Sequence, residues 1–212
     1  MKSVYFTSNH IEQQALQMLN ALGIRRKQID WGQPALLVLD MQDYFLSPDS
    51  HAFVPSAPSI LPGILRLIDA FQNASLPVIF TRHLNTMENA GMMDRWWSEL
   101  LTSEHPQAKL IEELAIEADI ILEKSQYDAF YDTDLDERLV SAGISDLVVT
   151  GVLTHLCCET TARSAFMHGY RVWFTVDGTA TYNSDFHLAA LRNLAHGFAT
   201  PVLVSQVQEA IS

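Results

Sequence analysis

The chain has 212 residues, 48% of them hydrophobic and 18% charged, which is the composition of a globular protein short enough to share one core. A formal net charge of −12 argues against nucleic acid as a partner, because phosphate binding needs clustered Lys and Arg. No apolar run approaches the roughly 18 residues that cross a bilayer, and residues 1–10 lack the features of a signal peptide, so the sequence predicts no membrane partner and a cytoplasmic location.

Residues 1–33 read as a polar N-terminal arm with one amphipathic helix, from about His10 to Leu22, where Ile11, Ala15, Leu16, Leu19 and Leu22 share a face and Gly23 supplies a stop. Residues 34–212 read as a single domain in which short apolar runs alternate with helical patterns. The runs are 35–39, 77–81, 119–122, 147–150, 172–176 and 202–204; being apolar on both faces, they predict parallel strands buried between helix layers. The helical stretches are 59–72, 134–142, 155–168 and 184–196. A longer insertion, 82–118, holds Trp96 and Trp97 and an acidic helix expected from about Gln107 to Ala118. The expected fold is α/β: a three-layer, doubly wound, mostly parallel six-stranded sheet with helices on both faces and a Rossmann-like strand order.

In such sheets ligands bind beyond the carboxyl ends of the strands, where the winding direction reverses. Three reactive residues fall there. Asp40 ends the first run, Lys124 follows the third, and Cys157 follows the fourth in the first turn of a helix. In a 3-2-1-4-5-6 order, Asp40 and Cys157 face each other at the switch point, and Lys124 lies two strands away, roughly 10 Å at ~4.8 Å per strand. A helix N-terminus and a nearby cation both favour thiolate at Cys157. Asp40 can take and return the proton, and backbone N–H groups near Leu153 and Cys157 can cradle an oxyanion. Each residue has a plainer reading: Asp40 as a turn former, Lys124 as a solvated charge, Cys157 as a small buried hydrophobe. Cys157 and Cys158 are the only cysteines; neighbours rarely bridge, and two cannot make a zinc site.

At these residues the sequence resembles the isochorismatase-like family of cysteine hydrolases, which includes nicotinamidases, carbamoylsarcosine amidases and isochorismatases. The motifs are Leu37-Val-Leu-Asp40-Met-Gln-Asp43-Tyr-Phe, Glu123-Lys124-Ser-Gln-Tyr127-Asp-Ala-Phe130 and Gly151-Val-Leu-Thr-His155-Leu-Cys157-Cys-Glu-Thr-Thr161-Ala, and the likeness runs from about Pro34 to Val204. It implies an Asp40–Lys124–Cys157 catalytic triad, with Cys157 rather than Cys158 as nucleophile. It also implies a cis Val152–Leu153 peptide that aims the Leu153 and Cys157 N–H groups at the oxyanion.

Two departures from family patterns narrow the branch. Nicotinamidases carry an Asp-x-His metal motif after the second strand, whereas this chain reads Thr81-Arg82-His83-Leu84-Asn85, so neither a metal nor another cofactor is expected. Siderophore-type isochorismatases resemble a variant with glycine at the nucleophile position and cleave a vinyl ether by acid catalysis. Cys157 favours attack on a carbonyl, so hydrolysis of a small amide or carbamoyl compound is the leading expectation. Vinyl-ether hydrolysis through Asp40, or a degenerate metabolite-binding subunit, is the alternative. Arg82, His83, Trp96, Trp97, Tyr127, Phe130 and His155 are the candidate substrate contacts, while Asp177 and His187 read as caps or supporting hydrogen bonders. Relatives of this type assemble, so a homodimer or homotetramer is expected.

Overall fold

The computed structural model describes residues 1–23, 29, 30, 32–115, 118 and 120–211. Among them, six strands make one parallel sheet: β1 (Pro34–Leu39), β2 (Val78–His83), β3 (Ile121–Lys124), β4 (Asp146–Val152), β5 (Arg171–Ala180) and β6 (Thr200–Val202). The order is β3-β2-β1-β4-β5-β6, that of the common doubly wound arrangement. All residues of β1 and β4 are buried, whereas β3, at an edge, alternates exposed and buried. The sequence predicts the third run to be buried on both faces like the others; at the sheet edge it is covered on one face only.

Helix α1 (Ile11–Ala21) comes before the sheet. After β1 follow a short turn of helix, α2 (Asp43–Leu46), and the long α3 (Ala57–Asn73). Among its described residues the insertion holds only single turns, α4 (Met93–Trp96) and α5 (Glu112–Ala115). The acidic helix expected over 107–118 is therefore reduced to α5. Residues 116, 117 and 119 lie outside the described residues, and Leu110 pairs instead with Gln42 in an antiparallel bridge. The remaining helices are α6 (Leu135–Ser141), α7 (Glu159–Met167), α8 (Ser184–Gly197) and α9 (Val204–Ile211). One group, α3 with α9, packs on the central strands and β5; a second, α7 with α8, packs on β5 and β6.

The first residues join this core. Phe6, Ala15 and Leu19 are buried in the same hydrophobic cluster as the sheet. Tyr5 and Phe6 both donate their backbone N–H to Ser56 Oγ, at 2.9 and 3.1 Å. The amphipathic helix expected over 10–22 is α1, and its buried residues Ala15 and Leu19 belong to the face that the spacing gives. No described helix is long and apolar enough to cross a membrane.

One glycine fixes the geometry of the switch point. Gly151 on β4 sits opposite Leu39 on β1 at φ +106°, and a Cβ there would fall 2.1 Å from the Leu39 carbonyl oxygen. Only glycine permits that backbone and that approach. The two strand ends carrying Asp40 and the Cys157 turn are drawn together as a result.

Candidate active site

Asp40 follows β1 in the left-handed region, with φ +51°, a conformation that Asp tolerates better than most residues. This turns the carboxylate across the end of the sheet toward β2 and β3. Thr81 on β2 accepts from the Asp40 N–H at 3.1 Å and donates its hydroxyl to Asp40 Oδ1 at 2.6 Å. Lys124, the last residue of β3, reaches past β2 and places Nζ 2.7 Å from Asp40 Oδ2, with both side chains fully buried. Its ammonium also donates to the Gln126 carbonyl at 2.9 Å. The long lysine arm thus spans the two-strand gap.

The nucleophile candidate arrives from the other side. After β4 the Val152–Leu153 peptide is cis, and Thr154–Cys158 form a π-helical turn leading into α7. Such turns carry an extra residue and recur at functional sites. The turn separates the two cysteines. Cys158 is fully buried and its Sγ faces the Thr150 carbonyl at 4.0 Å. Cys157 instead lines a cavity of about 430 Å³, where its thiol feels the charges of both Lys124 and Asp40.

Charge is arranged as follows. Burial opposes the Asp40 charge, but the Lys124 ammonium 2.7 Å away outweighs it and holds the carboxyl below the ordinary carboxylate range. Burial likewise opposes the Lys124 charge; Asp40 outweighs it and raises the ammonium pKa. The two stabilise each other as ions. Cys157 goes the other way: burial pushes its thiol up to about 12, and Asp40 adds to this against the pull of Lys124. The thiolate expected from helix position and Lys124 is thus corrected to a resting thiol, because desolvation exceeds the attraction of a cation already paired to a carboxylate. Alkylation of Cys157 by iodoacetamide should therefore be slow at pH 7 and rise about tenfold per pH unit up to pH 10, as thiolate accumulates. Peptide mapping of the alkylated protein should find Cys158 unmodified; a pH-independent rate would refute the resting thiol.

The cavity wall contains His83, Trp96, Trp97 and Tyr127 from the candidate set, together with Leu153. Adjacent tryptophans cannot share a helix face, yet both line the mouth because α4 ends at Trp96 and Trp97 is extended, at φ −98° and ψ 155°. Trp97 Nε1 donates to the Tyr127 hydroxyl at 2.9 Å. Three candidates point elsewhere and are corrected. Arg82, on the opposite face of β2 from its neighbours Thr81 and His83, pairs with Glu123 on β3. Phe130 stacks on His168, with ring centroids 4.7 Å apart. His155 stacks on Phe186 at 4.4 Å and hydrogen-bonds Thr181; its burial lowers its pKa to about 4.

His83 is neutral, its pKa lowered to about 4 chiefly by burial and then by Lys124. Its Nε2 lies 2.9 Å from Asn85 Oδ1, and Asn85 Nδ2 in turn donates to the Ser125 carbonyl at 2.8 Å. This is the stretch where metal-binding relatives keep an aspartate and a histidine. Here the partner of His83 is an amide, and among the described residues no three His, Cys, Asp or Glu side chains are placed to hold an ion. The donor set does not fit a metal.

Sequence reading missed several participants. Thr81 positions Asp40. Gln42 accepts the His83 N–H at 2.8 Å and donates to the Ala108 carbonyl at 2.7 Å, tying the insertion to the sheet edge. Phe45, Tyr182 and Lys2 complete the cavity wall. Of these, Thr81 had a signal, as a hydroxyl at the carboxyl end of the strand next to Asp40, and so had Tyr182, in the stretch that follows the fifth strand at the same edge; the others follow from tertiary packing. Asp177 and His187 behave as expected: Asp177 Oδ1 accepts the Val204 N–H at 2.8 Å at the start of α9, and His187 Nδ1 lies 3.0 Å from both the Tyr5 and Thr154 hydroxyls.

An isochorismatase domain model matches residues 34–206. The chain belongs to the isochorismatase family. Nicotinamidase 3 of Arabidopsis thaliana is 42% identical over 170 residues, covering 78% of this chain and 82% of that protein. Enterobactin synthase component B of Escherichia coli (strain K12) is 29% identical over 204 residues, covering 93% and 71%. Among solved structures, a cysteine hydrolase from Pseudomonas syringae pv. phaseolicola superposes with a TM-score of 0.81 at 28% identity, covering 88% of this chain and 95% of that one. This isochorismatase-family hydrolase has the doubly wound, six-stranded parallel sheet that its strand pattern predicts.

Proposed function

We propose that this isochorismatase-family chain is a cysteine hydrolase that cleaves the C–N bond of a small amide or carbamoyl compound through a thioester at Cys157. The observation that carries this is the Cys157 thiol at the cavity wall, electrostatically coupled to a buried Asp40–Lys124 ion pair. A thiol with a pKa near 12 needs a base at the moment of attack, and Asp40 is in contact. Sulfur adds to the substrate carbonyl as its proton passes to Asp40. The C–N bond then breaks as Asp40 returns that proton to the leaving nitrogen. Water, its proton taken by Asp40, attacks the thioester; the C–S bond breaks, acid is released, and the proton returns to sulfur. Lys124 keeps Asp40 ionised between these transfers, and the Leu153 and Cys157 N–H groups stabilise the oxyanion.

The walls suit a flat, small substrate. Trp97, Tyr127, Phe45 and Tyr182 offer aromatic faces with few polar groups, within the size range of ordinary ligand pockets. The relative at 42% identity bears the name nicotinamidase, which supports a planar aromatic amide as the first substrate to try. The vinyl-ether reading has Asp40 to act as acid but gives Cys157 no task. The test is a panel of nicotinamide, benzamide, N-carbamoyl amino acids and isochorismate, with release of ammonia or pyruvate measured. Ammonia from an amide or carbamoyl member is expected, with a mass increase on Cys157 in rapidly quenched samples. Pyruvate from isochorismate with no ammonia from any amide would overturn the proposal.

A further inference from the structure

Among the described residues the cavity wall contains one Lys or Arg, Lys2, from the first residues of the chain. Besides Cys157 and tyrosines, the ionisable wall residues are Lys2, His51, His83 and Glu99. His83 is neutral, as shown above. Glu99 is engaged by His51 Nδ1 at 2.9 Å, with His105 Nε2 at 3.7 Å. Arg82, Lys124, Arg138, Arg163 and Arg171 each have a carboxylate partner. Lys2, like Arg66, Arg95, Lys109 and Arg192, has no carboxylate at ion-pair distance among the described residues, and of these it is the one that lines this cavity, in a chain whose formal charge is −12. An unpaired cation facing a cavity is conspicuous in so acidic a protein.

The position of Lys2 is fixed by its neighbours. The Ser3 N–H donates to the Tyr182 carbonyl at 2.8 Å, and Asn183 Nδ2 donates to the Met1 carbonyl at 3.1 Å. Tyr5 and Phe6 are tied to Ser56, and Ser59 Oγ donates to the Phe6 carbonyl at 3.1 Å. Between these anchors the Lys2 ammonium lies 4.3 Å from the centroid of the Tyr182 ring and donates to the His51 carbonyl. Three N–H bonds are available on an ammonium. One carbonyl and a π face hold it in place without neutralising its charge, which leaves capacity for an anion entering the cavity.

We propose that Lys2 is a specificity-determining residue, whose ammonium pairs with a carboxylate that the substrate carries at the end away from the bond being cleaved. This rests on the reading of Cys157 as the reacting end of the cavity. The cationic substrate contact is then Lys2 and not Arg82, the candidate that the sequence offered. The occupant is then an anionic monoamide or ureido acid rather than a neutral amide. A substrate pinned at both ends gains orientation as well as affinity.

Two probes differ only at the distal group: 4-carbamoylbenzoate, which is anionic, and terephthalamide, its neutral isostere. Binding to the full-length protein is read by tryptophan fluorescence, since Trp96 and Trp97 line the same cavity, and turnover is read by ammonia release. The wild type should prefer the anionic probe by roughly tenfold, and this preference should shrink as salt is added. Lys2→Met should abolish it by weakening the anionic probe alone, with the neutral probe within about twofold, and Lys2→Arg should restore it. Equal binding of the two probes by the wild type, including no detectable binding of either, overturns the assignment to Lys2. So does an unchanged preference in Lys2→Met, or an equal loss for both probes, which would mark Lys2 as a tether of the first residues. A charge-dependent difference in binding with no ammonia from either probe would uphold Lys2 and count against the amide-hydrolase reading instead.

Discussion

Replacing Lys124 by Met is expected to destabilise the protein by about 3–5 kcal/mol at pH 7 and to remove measurable turnover. The Lys124 and Asp40 side chains are both fully buried and 2.7 Å apart, so loss of the ammonium leaves a desolvated carboxylate. In the wild type the Asp40 pKa is held down, so its ionised form contributes stability above the unfolded pKa, and this is lost as pH falls through the folded value. In Lys124→Met the burial that now opposes the charge acts alone and raises the Asp40 pKa. That carboxyl is then tolerated best below its unfolded pKa and costs stability as pH rises. The gap between the two proteins should therefore be wide at pH 7 and narrow toward pH 4, in urea unfolding followed by circular dichroism. The double variant Asp40→Asn with Lys124→Met, which removes both charges, should recover much of the stability but none of the activity. A Lys124→Met protein as stable as the wild type at neutral pH would rule out the buried ion pair.

How much of this was legible in the sequence depends on what kind of interaction places each residue. The strands themselves followed from chain-local patterns: β1 and β4 are buried along their whole length, and such strands read as apolar runs between helices, while their order comes from the common doubly wound arrangement. Asp40, Lys124 and Cys157 were legible because each lies at or just beyond a strand's carboxyl end, and a parallel sheet gathers those ends on one edge. Arg82 was misplaced by strand alternation. It sits between Thr81 and His83, which face the site, so its own side chain projects to the other face. Phe130 and His155 lie beside motif residues, but their rings find aromatic partners in α7, α8 and the segments around them.

Other features depend on contacts between distant parts of the chain. The resting state of Cys157 is one: helix position argues for thiolate, and only the depth of burial reverses it. Lys2 is another. In sequence it belongs to a polar arm, and nothing local joins it to a residue more than 150 positions away. Its place follows from Phe6, which is fully buried and carries the preceding residues across the cavity mouth. The insertion misled for a related reason. Its acidic stretch has a helical pattern, but Gln42 and Leu110 pair across it, and backbone groups given to that bridge and its neighbouring turns are withdrawn from a helix.

Replacing Cys157 by Ala is expected to reduce amide turnover by at least about 10⁴-fold while changing stability by less than about 1 kcal/mol. The first figure follows from covalent catalysis: once the nucleophile is absent, binding and oxyanion contacts alone remain, and such sites lose several orders of magnitude. The second follows from geometry. Removing sulfur leaves Asp40 and Lys124 paired with each other, and Thr81 still bonded to Asp40 Oδ1 at 2.6 Å. No charge is orphaned, in contrast to Lys124→Met, and the space left is no larger than one sulfur atom beside an existing cavity. Steady-state ammonia release and thermal unfolding on the same preparation measure both quantities. Cys157→Ser should also be slow, because its hydroxyl is harder still to deprotonate beside an ionised Asp40. The Cys158→Ala variant is the control: its sulfur faces the Thr150 carbonyl in the core, so it should lose some stability and keep its turnover. A Cys157→Ala protein with full turnover would transfer the chemistry to Asp40 as an acid, leaving the thiol as part of the wall.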